Sequence, residues 1–186
     1  MAQLGRAPAS GAGGRGFESR QPEITFLMAL NIGDAAPRFR AAVVGGGYED
    51  GREVSLAEFR GKRVVLYFYP KDDTPGCTVQ ACGLRDAWDE IKDRAILFGV
   101  SADVPKSHRK FIDKFHLPFP LLCDSEKKIV QDYGVWVEKH FMGKNYMGIE
   151  RTTFVIGGDG RISAIFRKVK PEEHLDLLKD ALAAKR

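Results

Sequence analysis

The chain has 186 residues, of which 44% are hydrophobic and 29% charged, and a formal net charge of +4. This length supports one domain with a substantial core, and the composition is that of a globular protein. The small net charge and the lack of a long lysine and arginine run argue against nucleic-acid binding. No apolar stretch reaches the roughly 20 residues of a membrane-spanning helix.

The number of cysteines indicates the cellular compartment of the protein. Three cysteines are too few for a disulfide-stapled secreted scaffold. We therefore expect a cytoplasmic protein. In that reducing environment a reactive cysteine pair is catalytic rather than structural.

The first 27 residues differ from the rest of the chain. They are rich in Gly, Ala, Ser and Arg, which predicts a disordered extension over residues 1–27. The apolar run that begins at Ile24 is too short for a signal-peptide core. We hypothesise that Met28 is the true initiator and that residues 28–186 form one domain. A targeting segment and a flexible tail are the alternatives for the extension.

Apolar periodicity and turn residues predict alternating strands and helices after the extension. The predicted strands span residues 39–44, 52–55, 63–69, 95–100, 152–156 and 161–166; the predicted helices span residues 75–91, 105–115 and 125–133, and a last one starts at Pro171. A capping-box pattern from Ser55 to Glu58 predicts one helical turn. The continuous apolar runs 63–69 and 95–100 are typical of strands covered on both faces. This order of elements predicts an α/β fold with a mixed central β-sheet flanked by helices.

The segment from Pro70 to Cys82, PKDDTPGCTVQAC, carries the chemistry. Thr74 suits the N-cap of the following helix and Pro75 suits its first position, which places Cys77 in the first turn. Free backbone N–H groups and the helix dipole stabilise an anion there, so they favour the nucleophilic thiolate. A second thiol, Cys82, follows five residues later. The pair indicates chemistry that makes and breaks a disulfide.

Ionisation alone does not make an efficient catalyst. A free thiol is already a few per cent thiolate at pH 7, so full ionisation raises the nucleophile concentration only roughly 30-fold. One donor that stabilises transition-state charge contributes about 10²–10³. The candidate donors are the Thr74 hydroxyl, the backbone N–H groups of Gly76 and Cys77, and an arginine from elsewhere in the fold.

The motif Pro70-x-x-x-Thr74-x-x-Cys77 resembles the active-site motif of the peroxiredoxins. The longer run TPGCTVQACGLRD is similar to that of their bacterioferritin comigratory protein, or Q-type, branch, and the resemblance extends from about Ile32 to the C-terminus. It includes FPLL at 119–122, YGVW at 133–136, FMGK at 141–144 and GIERTTF at 148–154. The resemblance implies a thioredoxin-like fold. It also implies a thiol peroxidase that reduces hydrogen peroxide and organic hydroperoxides to water and alcohols.

The same resemblance implies roles for five residues. Cys77 would be the peroxidatic cysteine and Cys82 the resolving cysteine, joined in a Cys77–Cys82 disulfide during turnover. Thr74 and Arg151 would polarise the peroxide bond and hold the thiolate, and Pro70 would shield the pocket. Thioredoxin or a similar dithiol would reduce the disulfide. No metal, haem or flavin is required, and the resemblance implies a monomer.

Helix geometry adds a requirement for the disulfide. Residues five apart on an intact helix have Cα atoms roughly 8–9 Å apart and point about 140° apart. A disulfide needs Cα atoms within about 7 Å. We therefore expect the helix to unwind around residues 77–82 before the bond forms.

Other functions remain open at this stage. A thioredoxin-type disulfide oxidoreductase would use Cys-x-x-Cys, which the five-residue offset disfavours. A redox-sensing or chaperone-like binding protein is a second alternative, and a thiolate metal site is a remote one, because the chain lacks a convincing third and fourth ligand. We expect Cys123 to be a structural thiol at a strand end, and residues 71–73 to form a solvated loop.

Overall fold

The computed structural model describes residues 29–184, so the predictions for residues 1–27 lie outside the described part. Its strands are β1 (Arg40–Val44), β2 (Glu53–Ser55), β3 (Val64–Phe68), β4 (Ile96–Ser101), β5 (Leu121–Cys123), β6 (Trp136–Phe141), β7 (Lys144–Ile149), β8 (Thr152–Ile156) and β9 (Ile162–Phe166). Its helices are α1 (Pro75–Asp86), α2 (Trp88–Ile91), α3 (Pro105–Phe115), α4 (Lys128–Asp132) and α5 (His174–Ala183). A single 3-10 turn covers Leu56–Phe59 in this part of the chain.

Seven strands form one mixed sheet in the order β2-β1-β5-β4-β3-β8-β9. β3 lies inside the sheet, parallel to β4 and antiparallel to β8, and all of its residues are buried. The continuous apolar run of β3 predicted this burial on both faces of the strand. β6 and β7 pair with each other as a separate antiparallel hairpin, which the sequence analysis did not predict. The mixed sheet flanked by helices confirms the predicted α/β fold.

Strand alternation divides the core between the two faces of the sheet. Tyr67 on β3 belongs to the same cluster as Cys77 of α1 and Leu178 of α5. The next residue, Phe68, belongs to the opposite cluster with Ile129 of α4. The sheet therefore holds α1 and α5 together on one face, and this arrangement places the start of α5 beside the first turns of α1.

Two predicted helices have different bounds in the structure. The helix predicted over 75–91 is interrupted at Ala87, which has φ −101° and ψ 17°. The apolar spacing of Leu84, Trp88 and Ile91 continues across this break, so periodicity could not reveal it. The last helix begins at His174, because the residues that follow Pro171 form a turn first.

The loop between β3 and α1 is anchored by a buried hydrogen-bond network. Asp72 accepts a hydrogen bond from the Tyr69 hydroxyl at 2.7 Å, and one carboxylate oxygen lies 2.9 Å from His108 Nδ1. The other ring nitrogen, Nε2, lies 3.2 Å from the Leu122 carbonyl oxygen. Since both ring nitrogens of His108 face acceptors, the side chain is an imidazolium that donates from each.

Burial of this pair corrects the expectation of a solvated loop over residues 71–73 at Asp72, whereas Lys71 and Asp73 are exposed as expected. Asp72 is only 6% exposed and His108 is fully buried. Burial disfavours the charged imidazole, but the hydrogen bond and charge of Asp72, together with Cys123, raise the pKa of His108 to about 10. Burial likewise opposes ionisation of Asp72, yet the hydrogen bond and charge of His108 hold the pKa of its carboxyl below the usual value.

We predict a stability contribution from this pair that is lost at alkaline pH. The folded state raises the pKa of His108, so the contribution is complete below pH 6.5 and disappears as the pH rises to about 10. His108→Gln should lower the free energy of unfolding by about 3 kcal/mol at pH 6, because one partner of a buried pair is removed. Urea unfolding followed by circular dichroism at several pH values measures the difference from wild type.

The exposed His140 provides a matched control, since its ring bonds only to the Asn145 side chain within the described residues. His140→Gln should change the unfolding free energy little at any pH. A wild-type minus His108→Gln difference that stays constant between pH 6 and pH 10 would contradict the ion-pair assignment.

Candidate active site

Cys77 lies in the first turn of α1 and is 2% exposed. Thr74 is the N-cap residue with an extended backbone (φ −95°, ψ 152°), and Pro75 opens the helix, as the sequence predicted. Free N–H groups of this first turn surround the thiol with partial positive charge. The helix start therefore presents Cys77 at the carboxyl end of β3 in a setting that favours an anion.

Arg151 supplies a full positive charge at the sulfur. It immediately precedes β8, whose first residue Thr152 is paired with Phe68 at the end of β3. Its Nη2 donates a hydrogen bond to Cys77 Sγ at 3.4 Å, and its Nη1 donates to Gln80 Oε1. The structure thus brings together Cys77 and Arg151, two residues 74 positions apart that the sequence analysis had selected.

Gly76 makes room for the guanidinium. A Cβ atom added at Gly76 would lie 3.3 Å from Pro171 Cγ, which is tighter than ordinary contact, and 3.4 Å from Arg151 Nη2, which is at the lower limit of ordinary contact. A larger side chain there would press on the guanidinium or on the start of the α5 segment. The absence of a side chain at this position therefore leaves space beside Arg151 and Pro171.

Gln80 continues the hydrogen-bond chain toward α5. Its Nε2 lies 2.9 Å from His174 Nδ1, and His174 Nε2 lies 2.8 Å from Thr153 Oγ1. Gln80, His174 and Thr153 are each at most 2% exposed. Burial, and then the charge of Arg151, lower the pKa of His174 to about 3, so its ring is neutral.

The sequence analysis missed all three members of this chain. Gln80 lies one helical turn after Cys77, on the same side of α1, and that spacing could have identified it. His174 lies 94 residues further on, and no pattern linked the two. Lys139 was missed as well: its Nζ donates to the Ile149 carbonyl at 2.6 Å, and burial followed by the charge of Arg151 lowers its pKa.

Thr74 and Pro70 lie in the segment that joins β3 to α1. The Thr74 hydroxyl donates to the Lys71 carbonyl at 3.1 Å rather than capping α1. Pro70 is exposed at the end of β3 and lines a groove of about 370 Å³ against the β6–β7 hairpin. Apolar side chains of the hairpin face this groove, among them Trp136, Tyr146, Met147 and Ile149.

The remaining cysteines are both partly buried free thiols. Cys82 lies on the same unbroken helix as Cys77, five residues later. Cys123 ends β5, as expected for a strand-end thiol, and it contributes to the environment of His108. Because α1 is continuous between Cys77 and Cys82, the two cysteines in this structure have the helical separation that prevents a disulfide.

Within residues 29–184, no cluster of three or more His, Cys, Asp or Glu side chains is arranged to hold a metal ion. No helix in the same range is long and apolar enough to cross a bilayer.

Comparison with known proteins identifies the family. The AhpC/TSA family matches residues 32–165. Peroxiredoxin Bcp of Escherichia coli K12 is 45% identical over 153 residues, which cover 82% of this chain and 95% of the relative. Peroxiredoxin Bcp of Bacillus subtilis is 44% identical over 158 residues, covering 82% of this chain and 98% of the relative.

The chain belongs to the AhpC/TSA family of peroxiredoxins. It is therefore a thiol peroxidase. Solved structures agree: Xanthomonas campestris peroxiredoxin Q superposes with a TM-score of 0.70 at 35% identity, covering 77% of this chain and 89% of that one. The Mycobacterium tuberculosis peroxidoxin BcpB gives a TM-score of 0.70 at 31% identity, covering 83% and 97%. The predicted thioredoxin-like peroxiredoxin fold is thus confirmed.

We predict that Arg151→Lys slows this peroxiredoxin severely. A lysine ammonium is a single point charge, whereas the guanidinium donates to Cys77 Sγ and Gln80 Oε1 at once. The second-order rate constant for thiol oxidation by hydrogen peroxide should fall by about 10²–10³. Stopped-flow tryptophan fluorescence under single-turnover conditions measures it.

Arg161→Lys is the matched control, since Arg161 is an exposed residue that donates to the Gly33 carbonyl. It should retain the wild-type rate constant. A loss below about 10-fold for Arg151→Lys would show that a point charge suffices at the sulfur.

Proposed function

We propose that this peroxiredoxin reduces hydrogen peroxide and organic hydroperoxides through Cys77 as the peroxidatic cysteine. The observation that carries the proposal is the buried Cys77 sulfur with an Arg151 N–H directed at it from 3.4 Å. A cation at this distance favours the thiolate before the reaction. The same donor can then stabilise negative charge on the oxygen that leaves.

The first step forms a sulfenic acid. The Cys77 thiolate attacks the hydroxyl oxygen of the peroxide, and the S–O bond forms as the O–O bond breaks. The other oxygen leaves as hydroxide or alkoxide and takes a proton from solvent to become water or an alcohol. Thr74 supports this step, because its proton is committed to the Lys71 carbonyl and its lone pairs can accept from the peroxide hydroxyl. Pro70, at the groove margin, shields the pocket in this proposal.

The second step uses Cys82 as the resolving cysteine. The Cys82 sulfur attacks the Cys77 sulfenic acid, the S–S bond forms, and the S–O bond breaks with loss of water. The two thiols occupy one intact helix, so α1 has to unwind between them. Its sequence supports easy unwinding, since Gly76, Val79 and Gly83 are poor helix formers.

The cycle closes with an external dithiol. We propose thioredoxin or a similar dithiol protein, which would attack the Cys77–Cys82 disulfide and restore both thiols by exchange. A reducing cytoplasm suits this chemistry, and the enzyme would act as a monomer because both cysteines of the disulfide belong to one helix. The bacterioferritin comigratory protein of Xanthomonas campestris, for which alkyl peroxide reduction is described, supports organic hydroperoxides as substrates.

Oxidation with one equivalent of hydrogen peroxide tests the assigned roles. Wild type should lose the two hydrogens of a Cys77–Cys82 disulfide, whereas Cys82→Ser should gain one oxygen at Cys77 that dimedone traps as a sulfenic acid. Intact mass and peptide mapping read both outcomes. Amide exchange over residues 77–82 should accelerate in oxidised wild type and remain slow in oxidised Cys82→Ser, because only the disulfide requires unwinding.

Cys123→Ser is the matched control and should form the same disulfide as wild type. Unmodified Cys77 with oxidation elsewhere would remove the peroxidatic assignment. Insulin disulfide reduction without peroxide consumption would instead indicate a disulfide oxidoreductase. A single oxidation of the protein that causes it to bind a new partner protein, without catalytic turnover in the presence of thioredoxin, would indicate a redox-sensing protein.

A further inference from the structure

We infer that His174 is a positioning residue for the peroxidase reaction, because it fixes the Gln80 amide in the one orientation that holds Arg151 against Cys77. This inference rests on the proposed roles of Cys77 and Arg151. The hydrogen bonds of His174 within residues 29–184 go to Gln80 and Thr153, not to the Cys77 sulfur. His174 acts through the chain Thr153–His174–Gln80–Arg151.

The direction of each hydrogen bond follows from the arginine. A guanidinium only donates, so the Gln80 atom facing Arg151 is the oxygen Oε1. The amide nitrogen of Gln80 therefore faces His174 and donates to its Nδ1. Since Nδ1 accepts, the ring proton lies on Nε2 and is donated to Thr153 Oγ1.

Alternative arrangements lose at least one bond. A flipped Gln80 amide would direct its N–H groups at the guanidinium and its oxygen at the lone pair of His174 Nδ1. A proton on Nδ1 would face the N–H group of Gln80, which places two donors together, unless the amide flipped and withdrew its oxygen from Arg151. The low pKa of His174 agrees with the neutral ring that the bonding pattern requires.

Burial makes the loss of any of these hydrogen bonds energetically costly. Gln80, His174 and Thr153 have no access to solvent that could replace a missing partner. Tyr67 closes one side, with its ring centroid 5.8 Å from that of the imidazole. His174 also ties α5 to α1, so unwinding of α1 for the disulfide would separate Gln80 from its partner.

The test compares two substitutions at His174. His174→Leu removes both hydrogen bonds and should lower the rate constant of Cys77 oxidation by hydrogen peroxide about 10²-fold, because Arg151 is no longer held in place. His174→Asn can offer its side-chain oxygen near the former Nδ1 position and should recover most of that loss. Stopped-flow oxidation is measured beside thiol alkylation by iodoacetamide.

The alkylation rate distinguishes a loss of Arg151 positioning from a general loosening of the structure around Cys77. Iodoacetamide needs a thiolate but no polarisation of an O–O bond, so the ratio of peroxide rate to alkylation rate should fall in His174→Leu. Equal rate constants for peroxide in wild type and His174→Leu would overturn the inference. The inference would also be overturned if both His174 variants lost the same fraction of the peroxide rate constant, in parallel with their loss of thermal stability.

Two neighbouring threonines provide a matched pair that keeps the test decisive if His174→Leu does not fold. Thr153→Val removes the acceptor of the His174 proton and should lower the peroxide rate constant about 10-fold. Thr152→Val should leave the rate constant unchanged, since within residues 29–184 the buried Thr152 hydroxyl has no hydrogen-bond partner and lies on the other face of β8. Equal rate constants in the two valine variants would overturn the inference. A wild type whose Cys77 does not react with peroxide would instead overturn the proposed function.

Discussion

The active site depends on the fact that an arginine side chain can only donate hydrogen bonds. Arg151 divides its donors between the Cys77 sulfur and the Gln80 oxygen, and this division sets the polarity of every further bond in the chain. The result is a buried connection from the reactive thiol on α1 to α5 and β8. In the proposed mechanism, this arrangement places positive charge in advance beside the thiolate sulfur and beside the oxygen that leaves, so no reorganisation is needed during the reaction.

Two buried histidines support the site with opposite charge states, and their partners decide which state each adopts. His108 faces the Asp72 carboxylate and a carbonyl oxygen, so it is an imidazolium that anchors the loop before α1. His174 faces the Gln80 amide nitrogen and lies beside the Arg151 charge, so it is neutral and supports α1 from the side of α5. The helix that carries Cys77 is thus fixed at its entry by an ion pair and along its length by neutral hydrogen bonds.

The sequence predicted those features that depend on local pattern. Apolar runs identified β3 and β4, the helix-start residues placed Cys77 in the first turn of α1, and the family motif selected Arg151. The chain from Gln80 to His174 was not predictable, because it depends on two polar residues far apart in sequence that meet only after the sheet forms. The β6–β7 hairpin escaped prediction for a related reason: most of its residues are exposed, so no apolar alternation marks its strands.

The most direct test of the hydrogen-bond polarity around Arg151 is the nitrogen chemical shift of the two buried histidine rings, measured by NMR on uniformly labelled reduced protein between pH 6 and pH 8. His174 should show a protonated Nε2 and an unprotonated Nδ1 throughout, and His108 should show both nitrogens protonated. A proton on Nδ1 of His174, or titration of that ring within this range, would contradict the arrangement that holds Arg151 at the Cys77 sulfur.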